Sequence, residues 1–248
     1  MVLALFPTKE ELRPFARLLQ NSQDESFPGR EGVSGLLGGR KVTALVSGIG
    51  QANTAQSLAA FFSMSVPELA ILGGCAGAYE GAGLKAGDVA AASEEIYADL
   101  GVLTHHGLKG FEETGLPLLE TDGSRYYNSF KTTSDTQRLE AAADRVFRRE
   151  AGNASFKVGI FLTVSIVSGT AERGRRLREF YGAVCENMEG AAAAQVCLLY
   201  GVPFLEVRGI SNMVEDRDRS KWQLERACES SAAFIREYLI TNPSPGTT

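Results

Sequence analysis

The chain has 248 residues, of which 44% are hydrophobic and 22% are charged, a composition typical of a soluble globular protein. Its length fits one large α/β domain at least as well as two small ones. The net charge of -5 argues against a nucleic-acid partner or an anionic membrane surface, and no apolar run is long enough to span a membrane.

The predicted elements alternate between strand and helix along most of the chain. Residues 1–6 are predicted as a buried strand, and Thr8 as the N-cap of a helix that ends at Leu19. The later predictions, in chain order, are a hairpin at 33–47, a helix at 51–63, strands at 69–72 and 88–97, an irregular polar stretch at 100–133, a helix at 135–150, a strand at 157–168, a helix at 171–180, a strand at 183–187, a helix at 190–200, a strand at 204–210 and a helix at 217–239. This alternation favours an α/β fold in which helices cover a mostly parallel sheet. We assign residues 1–240 to one domain and 241–248 to a disordered tail.

The cysteines and the N-terminus indicate a cytoplasmic protein. None of the four cysteines has metal-ligand spacing, and three lie in apolar or small-residue runs, which is typical of reduced thiols. The first residues lack the basic region of a signal peptide. We therefore expect neither a metal site nor a membrane partner.

Glycine and small polar residues cluster where four predicted strands end. These clusters are 48–50, 73–77, 187–189 and 208–212, and ligands of parallel α/β sheets bind at the carboxyl ends of the strands. Taken alone, a glutamate such as Glu189 is favoured at a helix N-terminus by only about 0.3–1 kcal/mol. Arg208 is harder to explain in this way, because a guanidinium in an apolar strand requires an anionic partner.

Taken together, these segments resemble the nucleoside phosphorylase/nucleosidase family. The segments that carry the resemblance are KEEL at 9–12, GIG at 48–50, LGGCAGA at 72–78, IVSGTA at 166–171, ENMEGAAAAQV at 186–196 and GVPFLEVRGISN at 201–212. They follow the family's order and cover nearly the whole chain. The resemblance implies a three-layer α/β/α fold with a mixed, mostly parallel twisted sheet, a small nucleoside as ligand, no organic cofactor and a homodimer or larger homo-oligomer. A neighbouring subunit often completes the site in this family, and residues 97–106 are candidates for that contribution.

The resemblance also assigns roles to individual residues. Met188 is expected to pack on the ribose, and Glu189 to accept a hydrogen bond from its 2′-hydroxyl. Glu11 is expected to activate the attacking water, with Glu10 as the alternative. The remaining substrate-binding candidates are Gly50, Cys75, Ala76, Gly77, Asn187, Arg208 and Ser211. Cys75 stands where relatives often have serine or threonine, so its hydrogen bond is expected to be weaker.

Two departures from the family pattern bear on the reaction. Phosphorylases of the family carry an arginine before the glycine-rich loop, whereas this chain has an apolar stretch at 70–72, which favours water over phosphate as nucleophile. The nucleosidases that act on adenine have aspartate where this chain has Asn212. An amide can donate to O6 or N7 and accept from a ring N–H, which suits a 6-oxopurine.

With water as nucleophile and a 6-oxopurine as base, the chain resembles one branch of the family. That branch hydrolyses futalosine, an inosine-like nucleoside of menaquinone biosynthesis, and releases hypoxanthine. Futalosine carries an aryl carboxylate at its 5′ end. The candidate cations for that carboxylate are Arg173, Arg217, Arg219 and Lys221, and Phe161 is a candidate for stacking on the purine. Three alternatives remain: a nucleosidase acting on methylthioadenosine, S-adenosylhomocysteine or the amino form of futalosine; a purine nucleoside phosphorylase; and a non-catalytic nucleoside-binding protein.

Overall fold

The fold is given by a computed structural model, which describes residues 1–27, 29–133, 135–149 and 154–241. Its helices are α1 (Lys9–Ala16), α2 (Gln51–Phe62), α3 (Phe111–Thr114), α4 (Thr136–Arg149), α5 (Ala171–Tyr181), α6 (Gly190–Leu199) and α7 (Leu224–Thr241). Its strands are β1 (Val2–Phe6), β2 (Gln20–Phe27), β3 (Arg30–Leu37), β4 (Arg40–Val46), β5 (Leu69–Leu72), β6 (Cys75–Ala78), β7 (Val89–Tyr97), β8 (Val102–Thr104), β9 (Gly107–Lys109), β10 (Leu119–Thr121), β11 (Ser124–Tyr126), β12 (Ser129–Lys131), β13 (Phe156–Thr163), β14 (Cys185–Asn187) and β15 (Phe204–Met213). Residues 242–248 of the predicted tail lie outside the described ranges.

A mixed sheet organises the fold. Within the described residues, eleven strands pair in the order β12-β7-β13-β14-β6-β15-β5-β1-β4-β3-β2. Parallel pairings connect β4, β1, β5, β15 and β6, and separately β7, β13 and β14. Antiparallel pairings connect β6 to β14 and add β3, β2 and β12 towards the edges. The predicted mixed α/β fold is therefore confirmed.

The interior strand β1 packs apolar side chains on both of its faces. Val2, Ala4 and Phe6 belong to one buried cluster, to which α1, α4 and α7 also contribute. Leu3 and Leu5 belong to a second cluster that contains residues of α2 and α6. This alternation is the period of two that a strand imposes on its side chains, and it explains why β1 is hydrophobic throughout.

Several predicted boundaries match the structure, and others are corrected. Thr8 caps α1 as predicted, since its hydroxyl accepts a hydrogen bond from the backbone N–H of Glu11 at 3.2 Å. The prediction missed β2, because its polar, exposed sequence at the sheet edge carries no hydrophobic alternation. The predicted final helix starts too early: residues 219–221 form a short 3₁₀ helix and α7 begins at 224.

The predicted irregular stretch at 100–133 contains short hairpins. β8 pairs with β9 and β10 with β11, both antiparallel, and Leu103 in β8 is 81% exposed. The contribution of residues 97–106 to a neighbouring subunit stays a prediction. In the described ranges, no helix has the length and apolar character needed to cross a membrane.

Candidate active site

A cavity of about 560 Å³ lies beside α1, at the ends of β14 and β15 and along β6. The predicted site residues that line it are Glu11, Cys75, Ala76, Gly77, Asn187, Met188, Glu189, Ser211 and Asn212. Gly50 and Arg208 are not among its lining residues; both lie behind Glu189 and bond to its carboxylate. The structure therefore brings together residues from five segments that are far apart in the sequence.

Glu189 is a fixed carboxylate on the cavity wall. It is only 4% exposed, Oε1 accepts from the backbone N–H of Gly50 at 2.9 Å, and Oε2 lies 3.2 Å from Nη2 of Arg208. Although Glu189 is the N-cap residue of α6, its side chain makes no capping hydrogen bond. Burial raises the pKa of Glu189, while Arg208 and the Gly50 N–H oppose that rise. The carboxylate is thus held for something other than capping the helix.

Asn187 performs the capping that Glu189 does not. Its Oδ1 accepts from the backbone N–H groups of Glu189 and Gly190, both at 2.8 Å, and its Nδ2 donates to Oε1 of Glu95 at 2.6 Å. That Asn187 binds substrate stays a prediction; in the structure, protein groups bond to both its amide oxygen and its amide nitrogen. Its side chain fixes the start of α6 and, through it, the position of Glu189.

Arg208 anchors the network from inside the sheet. The side chain is fully buried; Nε donates to Oε1 of Glu206 at 2.9 Å, Nη2 to Glu189, and Nη1 to the carbonyl of Cys75 at 3.4 Å. Burial alone would lower the pKa of Arg208, yet the carboxylates of Glu206 and Glu189 raise it above its ordinary value. The guanidinium thus has two anionic partners where the sequence predicted one, and both are protein side chains. Its positive charge is therefore already paired within the protein.

Two buried acids, Glu95 and Glu206, complete the network and were missed from the sequence. Burial and the neighbouring Glu206 raise the pKa of Glu95 well above its usual range, which favours its protonated form. Oε2 of Glu206 has no hydrogen-bond partner assigned among the described residues, and a proton on Glu95 would give it one. A Cβ on Gly190 would overlap both carboxyl groups, so only glycine allows α6 to begin here.

Glu11 is the second fixed carboxylate of the cavity. It is 7% exposed; Oε2 accepts from the Thr8 hydroxyl at 2.8 Å and Oε1 from the backbone N–H of Cys75 at 3.0 Å. Glu10 also lines the cavity but is exposed. A hydrogen bond with Cys228, burial and Glu11 raise the pKa of Cys75 well above its ordinary value, so this thiol stays protonated and donates to Glu11 at 3.3 Å. Of the two glutamates, Glu11 is therefore the buried and oriented one, and its assignment as water activator stays a prediction.

Asn212 reaches the cavity wall because of an irregularity in β15. The pairing with β6 shifts between Ile210 and Asn212, so Ser211 is an extra residue and Asn212 pairs with Gly77, as in a β-bulge. The Ser211 hydroxyl donates to Oδ1 of Asn212 at 2.7 Å, and Nδ2 donates to the carbonyl of Met213 at 2.9 Å. The amide therefore has a defined orientation. A Cβ built on Gly77 would lie 3.3 Å from Nδ2 of Asn212, so the two residues are close neighbours.

The stretch 215–222, which follows β15, supplies an aromatic ring and cations to the cavity. Trp222 lines it, with the guanidinium carbons of Arg217 and Arg219 at 5.0 and 5.7 Å from the ring centroid. Lys221 also lines it but pairs with Glu215 at 3.0 Å. Trp222 was missed because the sequence prediction placed it inside a continuous helix.

Two of the sequence candidates lie elsewhere. Phe161 is fully buried in a hydrophobic cluster and does not line the cavity, so the prediction that it stacks on a purine is wrong. Arg173 is not a lining residue either; it donates to the Ser168 hydroxyl at 3.2 Å and to the carbonyl of Ile166 at 3.0 Å. Within the described ranges, no group of three or more histidine, cysteine, aspartate or glutamate side chains is placed to hold a metal ion.

Comparison with known proteins identifies the family of the chain. The family model described as "Phosphorylase superfamily" matches residues 2–240. The chain belongs to this superfamily. Among curated proteins of the superfamily, the chain is 36% identical to the futalosine hydrolase of Thermus thermophilus over 79% of this chain and 80% of that protein. It is 30% identical to the 5′-methylthioadenosine/S-adenosylhomocysteine nucleosidase of Bacillus cytotoxicus over 93% of this chain and 94% of that protein.

A solved structure of the superfamily has the same fold. The 5′-methylthioadenosine/S-adenosylhomocysteine nucleosidase from Neisseria meningitidis, in complex with methylthio-immucillin-A, superposes with a TM-score of 0.79 and covers 97% of this chain and 99% of that one. The two sequences are 23% identical, so this likeness supports the fold alone.

Proposed function

We propose that the protein hydrolyses the N-glycosidic bond of a purine nucleoside, with water as the nucleophile. The observation that carries the proposal is the presence of two buried carboxylates, Glu11 and Glu189, on the wall of one cavity that also presents the amide of Asn212. Arg208, behind Glu189, is engaged by protein acceptors. The cations that line the cavity in the described part of the chain, Arg217, Arg219 and Lys221, all come from the stretch 215–222, and we assign them to the 5′ end of the substrate and not to phosphate.

The two carboxylates suit the two charges that develop in such a reaction. Breaking the C–N bond places positive oxocarbenium charge on the sugar, which Glu189 stabilises while it accepts a hydrogen bond from the 2′-hydroxyl. Glu11 accepts a proton from the attacking water, with the Cys75 N–H and the Thr8 hydroxyl fixing its orientation. Met188, which lines the cavity next to Glu189, provides an apolar surface for the sugar.

The leaving base is a 6-oxopurine in this proposal. Asn212 cannot supply a proton as an acid, but its amide can donate to O6 or N7 and accept from a ring N–H. Hypoxanthine has these groups, whereas adenine presents an amino group at position 6. The name of the Thermus thermophilus relative, futalosine hydrolase, supports the same base, because futalosine releases hypoxanthine.

The stretch 215–222 supports futalosine as the specific substrate. The aryl carboxylate at the 5′ end of futalosine needs an apolar surface and a cation. Trp222 offers the first, and Arg217 and Arg219 over its ring offer the second. Neither arginine has an ion pair among the described residues, in contrast to Lys221 with Glu215.

The second candidate is an adenine-specific nucleosidase, which the similarity to the Bacillus cytotoxicus protein over most of the chain supports. Incubation of the purified protein with futalosine, inosine and methylthioadenosine without phosphate, followed by chromatography of the free bases, separates the candidates. We expect hypoxanthine, released fastest from futalosine and at a rate that phosphate does not change. Adenine release would favour the second candidate, phosphate dependence a phosphorylase, and binding without release a non-catalytic protein.

The 5′ assignment has its own test. Arg217→Gln and Arg219→Gln should each raise KM for futalosine by about tenfold or more, since a charge-assisted contact is worth about 1.5–3 kcal/mol, and leave KM for inosine unchanged. Arg226, which does not line the cavity, provides the matched control Arg226→Gln. Equal effects on both substrates would place the carboxylate elsewhere.

A further inference from the structure

Glu186 is a cavity-lining carboxylate that the proposed reaction does not use. It lies in β14 and is only 5% exposed. Oε1 accepts from the backbone N–H of Ser168 at 2.8 Å, and Oε2 accepts from the Ser168 hydroxyl at 2.7 Å and from the Tyr79 hydroxyl at 3.0 Å. Three donors therefore hold the group in one orientation, and Oε1 retains acceptor capacity beyond the single N–H that it receives.

The sheet places Glu186 and Asn212 on opposite sides of one glycine. Glu186 pairs with Gly77 across the β14–β6 ladder, and Asn212 pairs with Gly77 across the β15–β6 ladder. Paired residues on neighbouring strands direct their side chains to the same face, and a spacing of about 4.8 Å between strands separates the two backbones by roughly 10 Å. Gly77 places no side chain between the carboxylate and the amide; a Cβ there would lie 3.1 Å from Cγ2 of Val214 and 3.3 Å from Nδ2 of Asn212.

A flat purine that enters this slot presents one edge to each group. We propose that Glu186 accepts a hydrogen bond from N1–H of the base and, together with Asn212, selects 6-oxopurines against 6-aminopurines at the cavity. This inference rests on the proposed nucleosidase function and identifies the residue that reads the base. A 6-oxopurine has a donor at N1, which a carboxylate accepts, whereas adenine has an acceptor at N1, which a carboxylate repels.

The surroundings of Glu186 keep it an acceptor. Burial, followed by the charge of Glu186 itself, raises the pKa of Tyr79 above its ordinary value, so the phenol remains a donor to the carboxylate. Arg173 donates to the Ser168 hydroxyl, which itself donates to Glu186. The positive charge of Arg173 is therefore connected to the carboxylate through one hydroxyl group. Oε2 is occupied by these two hydroxyl groups, which leaves Oε1 for the base.

Glu186→Leu tests the assignment, because leucine is of similar size and removes both acceptor oxygens, whereas a glutamine could keep its amide oxygen on the Ser168 N–H and still accept from N1–H. Equilibrium binding of hypoxanthine and adenine, measured by calorimetry, is a readout that needs no turnover. We expect the ratio of hypoxanthine to adenine affinity to fall by about tenfold or more, as for other sites in which a buried polar group loses its partner. The ratio of kcat/KM for inosine to that for adenosine should fall in parallel.

Tyr79→Phe is the matched control. It removes one donor from the carboxylate and keeps the carboxylate itself, so base preference should be retained. If Glu186 only anchors the loop at Ser168, both variants would weaken the two bases equally, and that result, or an unchanged preference in Glu186→Leu, overturns the proposal. Should Glu186→Leu not fold, Gly77→Ala provides a second test: a methyl at this position, 3.1 Å from Cγ2 of Val214 and 3.3 Å from Nδ2 of Asn212, should weaken both bases, and unchanged hypoxanthine binding would refute this placement.

The inference and the proposed function fail separately. If the wild-type protein releases no base from any nucleoside yet prefers hypoxanthine to adenine through Glu186, the hydrolase proposal is wrong and the base assignment stands. If it hydrolyses inosine-type nucleosides and Glu186→Leu keeps the same base preference, the hydrolase proposal stands and the assignment of Glu186 is wrong.

Discussion

Replacing Glu11 by glutamine separates the chemistry of this carboxylate from its structural role. The two carboxylate oxygens have different partners: a backbone N–H at Cys75, which can only donate, and the hydroxyl of Thr8, which can donate or accept. A glutamine fits both if its Oε1 faces Cys75 and its Nε2 faces Thr8. The substitution therefore removes the negative charge and the proton acceptor without leaving a buried polar group unpaired.

The expected magnitudes follow from this geometry. Loss of a general base lowers the rate by about 10²–10⁴-fold. Because the hydrogen bonds are conserved, the free energy of unfolding should change by less than about 1 kcal/mol, which corresponds to no more than about 2–4 °C in Tm for a domain of this size. Glu10→Gln, at the exposed neighbouring residue, should leave both the rate and Tm within error of the wild type.

Release of free base from a 6-oxopurine nucleoside measures the rates, and thermal denaturation measures Tm, on the same preparations. The reasoning is refuted if Glu11→Gln keeps its turnover within a few-fold while Glu10→Gln loses it, because the exposed carboxylate would then be the base. A large fall in Tm for Glu11→Gln would instead show that the hydrogen bonds had not been conserved.

Four further predictions concern the rest of the site. Glu189→Gln should lower kcat by about 10²–10³-fold, as for the loss of one preorganised electrostatic group; steady-state kinetics with near-normal turnover would remove it from the reaction. Asn212→Asp should shift kcat/KM towards aminopurine nucleosides, measured by competition between the two substrate types. Gly190→Ala should lower the free energy of unfolding by about 1–3 kcal/mol in urea despite a gain of about 1 kcal/mol in helix propensity, because the methyl overlaps Glu95 and Glu206. Since the folded-state pKa of Glu95 is raised, its contribution to stability is lost as pH rises through that pKa. Glu95→Gln should therefore flatten the dependence of Tm on pH above the pH range in which a carboxyl group usually titrates. Identical Tm–pH profiles for the variant and the wild type would show that Glu95 is ionised.

The parts of the site that the sequence predicted are those carried by contiguous motifs. Glycines and polar residues at the ends of strands indicated where a ligand binds, and the small residues after Glu189 indicated a helix packed close to the sheet. Both signals are local: they depend on residues a few positions apart, whose spatial relation is set by strand or helix geometry. The same is true of Thr8, which caps α1.

The parts that were missed depend on the order of strands in the sheet. Glu95 and Glu206 are single acids in apolar strands, and nothing in the sequence brings them together; β7 and β15 are neighbouring strands, and both carboxyl groups reach the start of α6 at Gly190. Glu186 and Asn212 become neighbours only because β6 lies between their strands, and the extra residue Ser211 decides the register of Asn212. The position of Trp222 could be predicted only if it was known that the chain bends between residues 213 and 224, and the polar residues there do not by themselves indicate a bend.

Arg208 connects two of the buried acids, since it pairs with both Glu189 and Glu206, and a third ionised acid beside them would add repulsion that one guanidinium cannot offset. Burial and the charge of Glu206 raise the pKa of Glu95, which favours its protonated form and so limits that repulsion. Glu189 therefore shares its guanidinium partner with Glu206. In the proposed reaction, the Glu189 carboxylate stabilises a sugar that becomes positive in the transition state, and because protein donors already fix Glu189, little reorganisation is needed when the bond breaks.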